Sequence, residues 1–416
     1  MFNNKNPLKI KISNARKWIS SSFLVITLLL NSGFAYNLKS DLFTIIFLVV
    51  ASLIFVFYFG ILKRKFLCKE FLTSPFFLLS VFIFITFLVN FDFDSWGRYT
   101  RQILVLIFSI LFVMEIDIRT FSKVFVDFIM FVTLHSLLIL ILVNFMSYVP
   151  PHFIMEGAAG VEENVYYNVY YNFVFSYLNI YHTTRLIGPF WEAGVFATML
   201  IYALILDENI NVYSSKIRKK FNTIIFSIAI LLTISTAGYI LLVIFFVYKI
   251  LKNSKGNTTK FLNFIIILCS FFSLVFYEEI ILLLANIFPR VFNKLTFDSV
   301  SKITRLYGPL VDFSVFSKRP IFGVGITSYQ ELWPYFSEKF HVESRTSTIT
   351  YFIANFGIPG IKYFITVLTG SLKNKKIILT CRLLIFLIIS SILMKEPHYL
   401  NLTTTIIIMY MYSGKL

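Results

Sequence analysis

Apolar runs of about 20 residues recur along the whole chain, and they constrain its fold more than any other feature. The bilayer interior offers no water to backbone N–H and C=O groups, so each run has to satisfy its own backbone as a helix. Hydrophobic residues make up 57% of the 416 residues and charged residues only 14%. The sequence therefore predicts an all-α polytopic membrane protein, with residues 1–416 in a single membrane domain.

The net charge of +17 could indicate a nucleic-acid partner, but its distribution favours another reading. Most of the excess Lys and Arg lies in short loops between apolar runs, which is the pattern of cytoplasmic loops in membrane proteins. We therefore expect no nucleic-acid partner. We expect instead a multi-pass protein of a bacterial cytoplasmic membrane, with the lipid bilayer as its surroundings and both termini in the cytoplasm.

The alternation of basic and charge-poor loops predicts about twelve transmembrane helices, within a range of ten to fourteen. They are expected at roughly residues 18–36, 41–62, 75–91, 98–119, 125–146, 189–206, 222–234, 239–248, 261–277, 347–369, 377–394 and 399–412. The two runs at 222–234 and 239–248 are too short to span fully. We therefore expect the external face to be indented there, with the small polar turn at 235–238 on the floor of a cavity.

Two long loops fall on the external side of this count. The loop at 147–184 has no Lys or Arg and is rich in tyrosine, which suits a segment at the membrane interface. The larger loop at 278–345 is charged and is expected to contain short amphipathic helices. One of them carries an apolar stripe at helical spacing, from which Arg305 and Asp312 point largely away. The stripe consists of Ile303, Leu306, Tyr307, Leu310 and Val311.

The most informative polar segment is 185–192, with the sequence RLIGPFWE. Gly188 and Pro189 predict a helix start, since Pro is tolerated in a first helical turn. Glu192 then falls in the first turn of a strongly apolar run, where charged groups are costly and are usually functional. Glu192 is a candidate general base. The alternative is an ion pair between Arg185 and Glu192 that only holds the loop.

Other external cations could bind a phosphorylated lipid, because the arginine guanidinium matches phosphate oxygens two at a time. The candidates are Arg185, Arg305, Arg319 and Arg345, with Tyr307 as a further substrate contact. His341 is a second candidate base, since a neutral imidazole accepts a proton near pH 7. The alternative for each of them is ordinary loop charge or a solvated side chain. The sequence shows no metal-ligand cluster and no nucleotide-binding loop, so neither metal nor cofactor is expected.

Four segments resemble elements of the O-antigen polymerase and O-antigen ligase superfamily. They are RLIGPFWE at 185–192, LTISTAG at 232–238, KRPIFGVG at 318–325 and GIPG at 357–360. The resemblance covers less than half of the chain and is carried by the order of the segments. It is greatest with the polymerases of capsule and exopolysaccharide loci.

This resemblance implies an extracytoplasmic glycosyl transfer that needs neither nucleotide sugar nor metal. A glycan on one undecaprenyl diphosphate is transferred to the sugar end of a second lipid-linked repeat unit. Arg185 and Arg305 would bind the donor's diphosphate. A flippase and a chain-length regulator are the protein partners that such a reaction would have.

Three alternatives stay open at this point. Ligases of the superfamily carry a His-Asn pair where this chain reads Arg345-Thr-Ser-Thr348, so a ligase is disfavoured. A flippase for lipid-linked oligosaccharide would have a similar number of spans but lack the long external loop. A scaffold subunit would not require charges at the mouths of membrane helices.

Overall fold

The computed structural model describes most of the chain between residues 68 and 416. The described residues are 50, 54, 64, 68–91, 93–145, 153–156, 166–170, 174–178, 185–190, 192–210, 213, 215–253, 286, 300–342, 345, 347–375, 377–395 and 401–416. The helices predicted at 18–36 and 261–277 lie outside these residues, and so does nearly all of the helix predicted at 41–62.

Within this part, thirteen α-helices and three short strands follow one another. They are α1 Lys69–Leu72, α2 Pro75–Asn90, α3 Trp96–Glu115, α4 Ile118–Phe145, β1 Phe153–Glu156, β2 Tyr166–Tyr170, β3 Val174–Leu178, α5 Ala193–Ile210, α6 Lys216–Leu232, α7 Thr236–Asn253, α8 Val300–Phe316, α9 Ile326–Lys339, α10 Thr348–Phe356, α11 Ile361–Lys373, α12 Leu379–Lys395 and α13 Leu402–Tyr412.

Local sequence determines where several of these helices begin. Ser215, Ser347 and Asn401 precede α6, α10 and α13, and each side chain accepts a hydrogen bond from the backbone N–H three residues later. Such caps satisfy a donor that the first turn cannot satisfy internally. Pro75 opens α2, where its missing N–H has no consequence.

Helix α5 forms the centre of the bundle. Its residues from Ala193 to Glu208 are all buried, because it packs against α4, α6 and α7 on different sides. A helix that is apolar around its whole circumference can be buried in this way. Tyr202 and Thr404 share a 3.1 Å hydrogen bond between their hydroxyl groups. This bond joins α5 to α13, which packs against α3 and α11.

Four helical segments of the described part are long and apolar enough to cross a membrane. They are Phe93–Glu115, Ile118–Leu142, Ala193–Ile210 and Thr236–Asn253. Each falls on one of the twelve predicted helices, although the run at 239–248 is predicted to be too short to span fully. The prediction of a helical, membrane-embedded protein is therefore confirmed, whereas the total of twelve spans stays a prediction.

One predicted helix pair and one predicted long helix have different bounds in the structure. Helices α6 and α7 contain 17 and 18 residues and are longer than the predicted runs. Helix α7 is long and apolar enough to cross a membrane, so the prediction that its run is too short is wrong, whereas the prediction for α6 stays a prediction. Both helices continue through their Lys- and Arg-rich ends, because these residues favour helix and extend their charged heads outward. The helix predicted at 347–369 is broken at Gly357, which has φ 67° and ψ −151°.

The loop at 147–184 contains a small sheet that the sequence analysis did not predict. Its antiparallel order is β1-β2-β3, with Tyr166 opposite both Glu156 and Leu178. Tyrosine and valine favour extended backbone, so the tyrosine-rich composition of the loop is a signal for β-strands. The sheet is too short to give a strong period-two pattern.

The two ends of the helical bundle carry different polar groups. At one end, Lys219, Lys249 and Lys252 surround the buried carboxylate of Glu208, at distances of 3.1 to 3.9 Å. At the opposite end lie the residues that precede α5, the turn between α6 and α7, and the last residue of α12. The segment 185–192 therefore lies at the end away from the lysine cluster.

Candidate functional site

Arg185 binds the turn that joins α6 to α7. Its Nε donates to the carbonyl oxygen of Thr233 and its Nη2 to that of Ile234, both at 3.1 Å. The next backbone N–H, that of Leu186, donates to the carbonyl of Leu232 at 3.0 Å. The guanidinium thus uses its fork on two consecutive carbonyls, a geometry that a single ammonium cannot reproduce.

The turn at 233–235 is strained at its centre. Ile234 has φ 50°, in the left-handed region that a β-branched residue rarely adopts. Such backbone costs on the order of 1–3 kcal/mol and occurs mostly where the surrounding structure enforces it, often at functional sites. Arg185 binds the carbonyl oxygen of Ile234, so it belongs to the structure that enforces this conformation.

The turn also starts α7. The carbonyl of Ser235 accepts from the N–H of Tyr239 at 3.0 Å, and its Oγ accepts from the N–H of Gly238 at 3.3 Å. A Cβ on Gly238 would come within 3.0 Å of the Cβ of Ala197, so glycine lets α7 approach α5 closely here. The N-terminus of an 18-residue helix, with its partial positive charge, therefore begins at this turn.

A second cation reaches the same turn from the far end of the chain. Nζ of Lys395, the last residue of α12, lies 3.3 Å from Oγ of Ser235. Its neighbour Met394 accepts a hydrogen bond from Ser347, the residue that caps α10, at 3.3 Å. Contacts therefore run from Arg185 through the turn and the end of α12 to the start of α10.

Glu192 lies immediately before α5, because this helix begins four residues later than the sequence predicts. Helix α5 begins at Ala193 rather than Pro189, and the carbonyl of Glu192 accepts from the N–H groups of Val195 and Phe196 at 3.1 and 3.2 Å. Glu192 is thus the residue that precedes the helix, and its half-buried side chain lies at the same end of the bundle as Arg185. Gly188, with φ 63°, makes the preceding bend.

The segments at 318–325 and 357–360 pack against one another. Val324 N–H donates to the carbonyl of Ala354 at 3.2 Å, and Ile358 N–H to that of Pro320 at 2.9 Å. A Cβ on Gly323 would lie 2.2 Å from the backbone oxygen of Asn355, and both Gly323 and Gly357 have φ near 70°. Only glycine fits either position.

A buried carboxylate connects the large loop to α10. Asp312 of α8 accepts hydrogen bonds from the hydroxyls of Tyr329 on α9 and Thr350 on α10. The guanidinium of Arg345 lies over the rings of Tyr329 and Trp333, 5.0 and 5.3 Å from their centres. Burial raises the pKa of Asp312 from its ordinary 3.8 to about 6, although these hydrogen bonds and the charge of Arg345 lower it in part.

The apolar stripe of α8 faces outward. Leu306, Tyr307 and Leu310 are exposed, whereas Val311 is buried. Asp312 faces away from most of the stripe, as predicted, but it faces into the protein rather than into solvent. The sequence analysis therefore identified the two faces of this helix without recognising what the polar face contacts.

The remaining predicted residues occupy separate positions. Arg319 donates to the side-chain oxygen of Asn90 at 2.6 Å and so anchors the loop on the end of α2. Tyr307 stacks on Phe340, with ring centres 6.2 Å apart, and the exposed His341 follows with φ 53°. Arg305 lies in α8, and its side chain is outside the described part of the structure.

Sequence reasoning missed two residues at this end of the bundle. Lys395 is not among the predicted site residues, although a lysine at the end of an apolar helix is a signal that the sequence contains. Asp312 was read as the polar side of an amphipathic helix. No local pattern distinguishes a solvated aspartate from a buried one, because burial depends on which element packs over it.

A comparison with protein-family models, with curated proteins and with solved structures finds no match to this chain.

Proposed function

We propose that this chain is a polysaccharide polymerase of the O-antigen polymerase and ligase type. It joins undecaprenyl-diphosphate-linked repeat units into a capsular, O-antigen or exopolysaccharide chain. In this proposal the reaction takes place on the outer side of the bacterial cytoplasmic membrane, without metal or cofactor.

One observation carries the proposal: the four segments that resemble the superfamily form two contacting pairs. Segment 185–192 is bonded to the turn within 232–238 through Arg185 and Leu186. Segment 318–325 is bonded to 354–358 through backbone hydrogen bonds, with glycine where no Cβ fits. Each segment alone is a loose motif, and the two members of each pair are separated in the sequence. Unrelated matches would not be expected to contact one another in pairs.

The topology that the proposal needs agrees with the two ends of the bundle. Positively charged loops remain on the cytoplasmic side of a membrane. The end with Lys219, Lys249 and Lys252 would therefore be cytoplasmic, and the end with Arg185 would face outward. Twelve spans with both termini inside would place α8 and α9 above the membrane, with the exposed stripe of α8 on its surface.

Each candidate residue has a role in the proposed reaction. A hydroxyl of the acceptor sugar attacks the anomeric carbon of the donor, a carbon–oxygen bond forms, and the bond to the diphosphate breaks. The hydroxyl proton passes to a base, for which Glu192 and His341 are the candidates. Cations at the site, Arg185 and Arg305 first among them, stabilise the departing lipid diphosphate, whose negative charge increases as the bond breaks. Arg319, Arg345 and Tyr307 would contact the rest of the substrate.

Deleting the gene distinguishes the candidate functions. A polymerase mutant accumulates single lipid-linked repeats on the outer leaflet. A flippase mutant accumulates them on the inner leaflet, and a ligase mutant makes long polymer that is not attached. Accumulation on the inner leaflet, or unattached long polymer, would contradict the proposal.

A change at Arg305 tests the role of the loop helix. Arg305→Lys keeps the charge but loses the planar fork, so polymer length is expected to fall if two-point contact with phosphate matters. Arg98→Lys is the matched control, because Arg98 is exposed at the same end of the bundle, at the start of α3. Full-length polymer in Arg305→Lys would remove Arg305 from the site.

The structure favours a polymerase over a ligase at one specific place. Where ligases carry the His-Asn pair, Ser347 caps α10 and Thr348 is completely buried. Neither side chain can serve as a base in the way that histidine does.

A further inference from the structure

We infer that Asp312 is a positioning residue for Arg345, and that Arg345, held in this way, binds a phosphate of the lipid-linked substrate. The inference rests on the proposed function, because it names the group that Arg345 contacts and the residue that holds Arg345 in place. Asp312 takes no part in the resemblance described above.

The charge of Arg345 lies against two aromatic rings. Its guanidinium carbon is 5.0 Å from the centre of the Tyr329 ring and 5.3 Å from that of Trp333. Such a contact attracts the cation to the negative face of the ring and needs no oxygen acceptor. Arg345 forms no hydrogen bond or ion pair with another residue that the structure describes, and its side chain is exposed. It can therefore offer N–H donors to a ligand that arrives from solvent.

Asp312 is bonded to the residues on which Arg345 lies. Its carboxylate accepts a 2.6 Å hydrogen bond from the hydroxyl of Tyr329, and a hydrogen bond from Trp333 also favours its charged form. Thr350 of α10 donates to the second carboxylate oxygen. Asp312 is 4% exposed, Trp333 is 7% exposed and Tyr329 is fully buried, so the three side chains form one packed unit. This unit gives Arg345 a rigid support.

The negative charge of Asp312 is not explained by the stability of the fold. Burial raises the pKa of Asp312 to about 6, so the ionised form present at neutral pH is less favourable in the folded protein than in the unfolded chain. The neighbours Tyr329, Trp333 and Thr350 are neutral, whereas Arg345 is a cation whose charge lowers this pKa in part. A neutral amide could also accept hydrogen bonds at this position. What only the carboxylate supplies is attraction to Arg345.

A phosphate from the outer side would contact Arg345 rather than Asp312, because the arginine is exposed and the carboxylate is buried. The guanidinium matches phosphate oxygens two at a time. Arg345 is two residues before Ser347, which contacts Met394 near the end of α12. The next residue of α12 contacts the turn that Arg185 binds. Arg345 therefore lies at the end of the bundle where the proposed reaction places the lipid diphosphate.

Binding measurements on the purified full-length chain test this inference at about pH 8, where Asp312 is ionised. The probe is farnesyl diphosphate, added to protein in neutral detergent. We expect Arg345→Met to weaken binding by about tenfold and Asp312→Asn to weaken it by about fivefold. In the Arg345→Met background, Asp312→Asn should have no further effect, because Asp312 acts through Arg345.

Three binding results would overturn the inference. They are unchanged binding in Arg345→Met, equal or tighter binding in Asp312→Asn, and the same loss from Asp312→Asn in both backgrounds. If Asp312→Asn does not fold, Tyr329→Phe removes the hydroxyl that bonds to Asp312 and keeps the ring that Arg345 contacts. Tyr329→Phe should then weaken binding in the unchanged background and not in the Arg345→Met background, and the same criteria apply to it.

The thermal midpoint separates a positioning role from a structural one. Asp312→Asn removes a buried charge, so at this pH it should be at least as stable as the unchanged protein while it binds the probe more weakly. A parallel loss of stability and binding would overturn the positioning role. Glu331→Gln is the matched control, because it removes a carboxylate from an exposed position on α9. This variant should bind the probe as the unchanged protein does.

A phospholipid headgroup is the other source of the same phosphate chemistry. Phosphatidylglycerol in the detergent micelles should not displace farnesyl diphosphate, and displacement at equal concentration would overturn the assignment to the lipid-linked substrate. The outcomes also separate this inference from the proposed function. If gene deletion shows a polymerase but Asp312→Asn binds the probe normally, the inference alone fails. If deletion leaves polymer unchanged, the proposed function fails whatever the binding.

Discussion

Arg185 donates a hydrogen bond to the backbone carbonyl of Ile234, the one described β-branched residue in the left-handed backbone region. The two residues are 49 positions apart in the chain, and the contact joins the mouth of α5 to the turn between α6 and α7. Arg185 therefore has a positioning role that is independent of any ligand. In the proposed reaction its remaining N–H groups would contact the donor's diphosphate, because a guanidinium has five N–H groups.

Replacing Arg185 with lysine is expected to lower both stability and activity. Lysine keeps the charge but cannot donate to two carbonyls in one plane, so roughly 1–3 kcal/mol of stabilisation is lost. The thermal midpoint of the detergent-purified protein and the polymer length in cells measure the two effects. Arg382→Lys is the control: Arg382 also binds a backbone carbonyl, that of Leu372, but at the opposite end. Normal polymer in Arg185→Lys would show that the fork is not needed.

The change Glu192→Gln separates a base from a structural residue. The helix-starting contact of Glu192 uses its backbone carbonyl, so the amide should leave the fold and thermal midpoint unchanged. If the carboxylate takes the proton, polymer synthesis should fall by about 100-fold or more. Glu331→Gln, an exposed position on α9, provides the matched control. Near-normal polymer in Glu192→Gln would leave His341 as the candidate base.

Gly323 should not tolerate a methyl group. The Cβ of alanine would lie 2.2 Å from the oxygen of Asn355, at a position with φ 72°. We expect Gly323→Ala to destabilise the protein by about 3 kcal/mol or more, because strain and overlap add. Gly97→Ala is the opposite case: nothing lies within 4 Å of its added Cβ, and alanine favours helix. A thermal midpoint in Gly323→Ala equal to that of Gly97→Ala would refute this account of the loop contact.

Asp312 should make stability depend on pH. Its pKa is about 6 in the folded protein and 3.8 ordinarily, so the folded state retains the proton longer than the unfolded state. Its stabilising contribution is complete below about pH 4 and is lost as the pH rises through 6, by up to about 3 kcal/mol. Burial raises the pKa of Tyr329, which faces Asp312, well above its ordinary value, so its hydroxyl keeps its proton over this range.

The measurement compares the protein with Asp312→Asn, which imitates the neutral acid. The thermal midpoint of the unchanged protein should fall relative to that of Asp312→Asn between pH 4 and pH 7. Other titrating carboxylates affect both proteins alike, so the difference isolates Asp312. A constant difference across this range would contradict the buried, partly protonated state of Asp312.

Much of the bundle could be predicted because membrane helices are determined locally. Helix α2 and the four long apolar segments lie on predicted spans, since an apolar run in a bilayer has to satisfy its own backbone. The first and last residues of the helices were predicted less well. The starts of α4 and α6 and the end of α7 extend beyond the apolar runs, because Lys and Arg continue a helix while their charged heads reach the surface.

The sequence by itself determined the helical class, the basic end of the bundle, and Arg185 and Glu192 as exceptional charges at a helix mouth. Only the tertiary structure decided which groups the charged side chains contact. Arg185 contacts a strained turn, Lys395 contacts the same turn from another helix, and Asp312 is buried against Tyr329 and Thr350. Helix formation depends on neighbours three and four residues apart, whereas the site depends on contacts between helices, and those are not encoded in any local pattern.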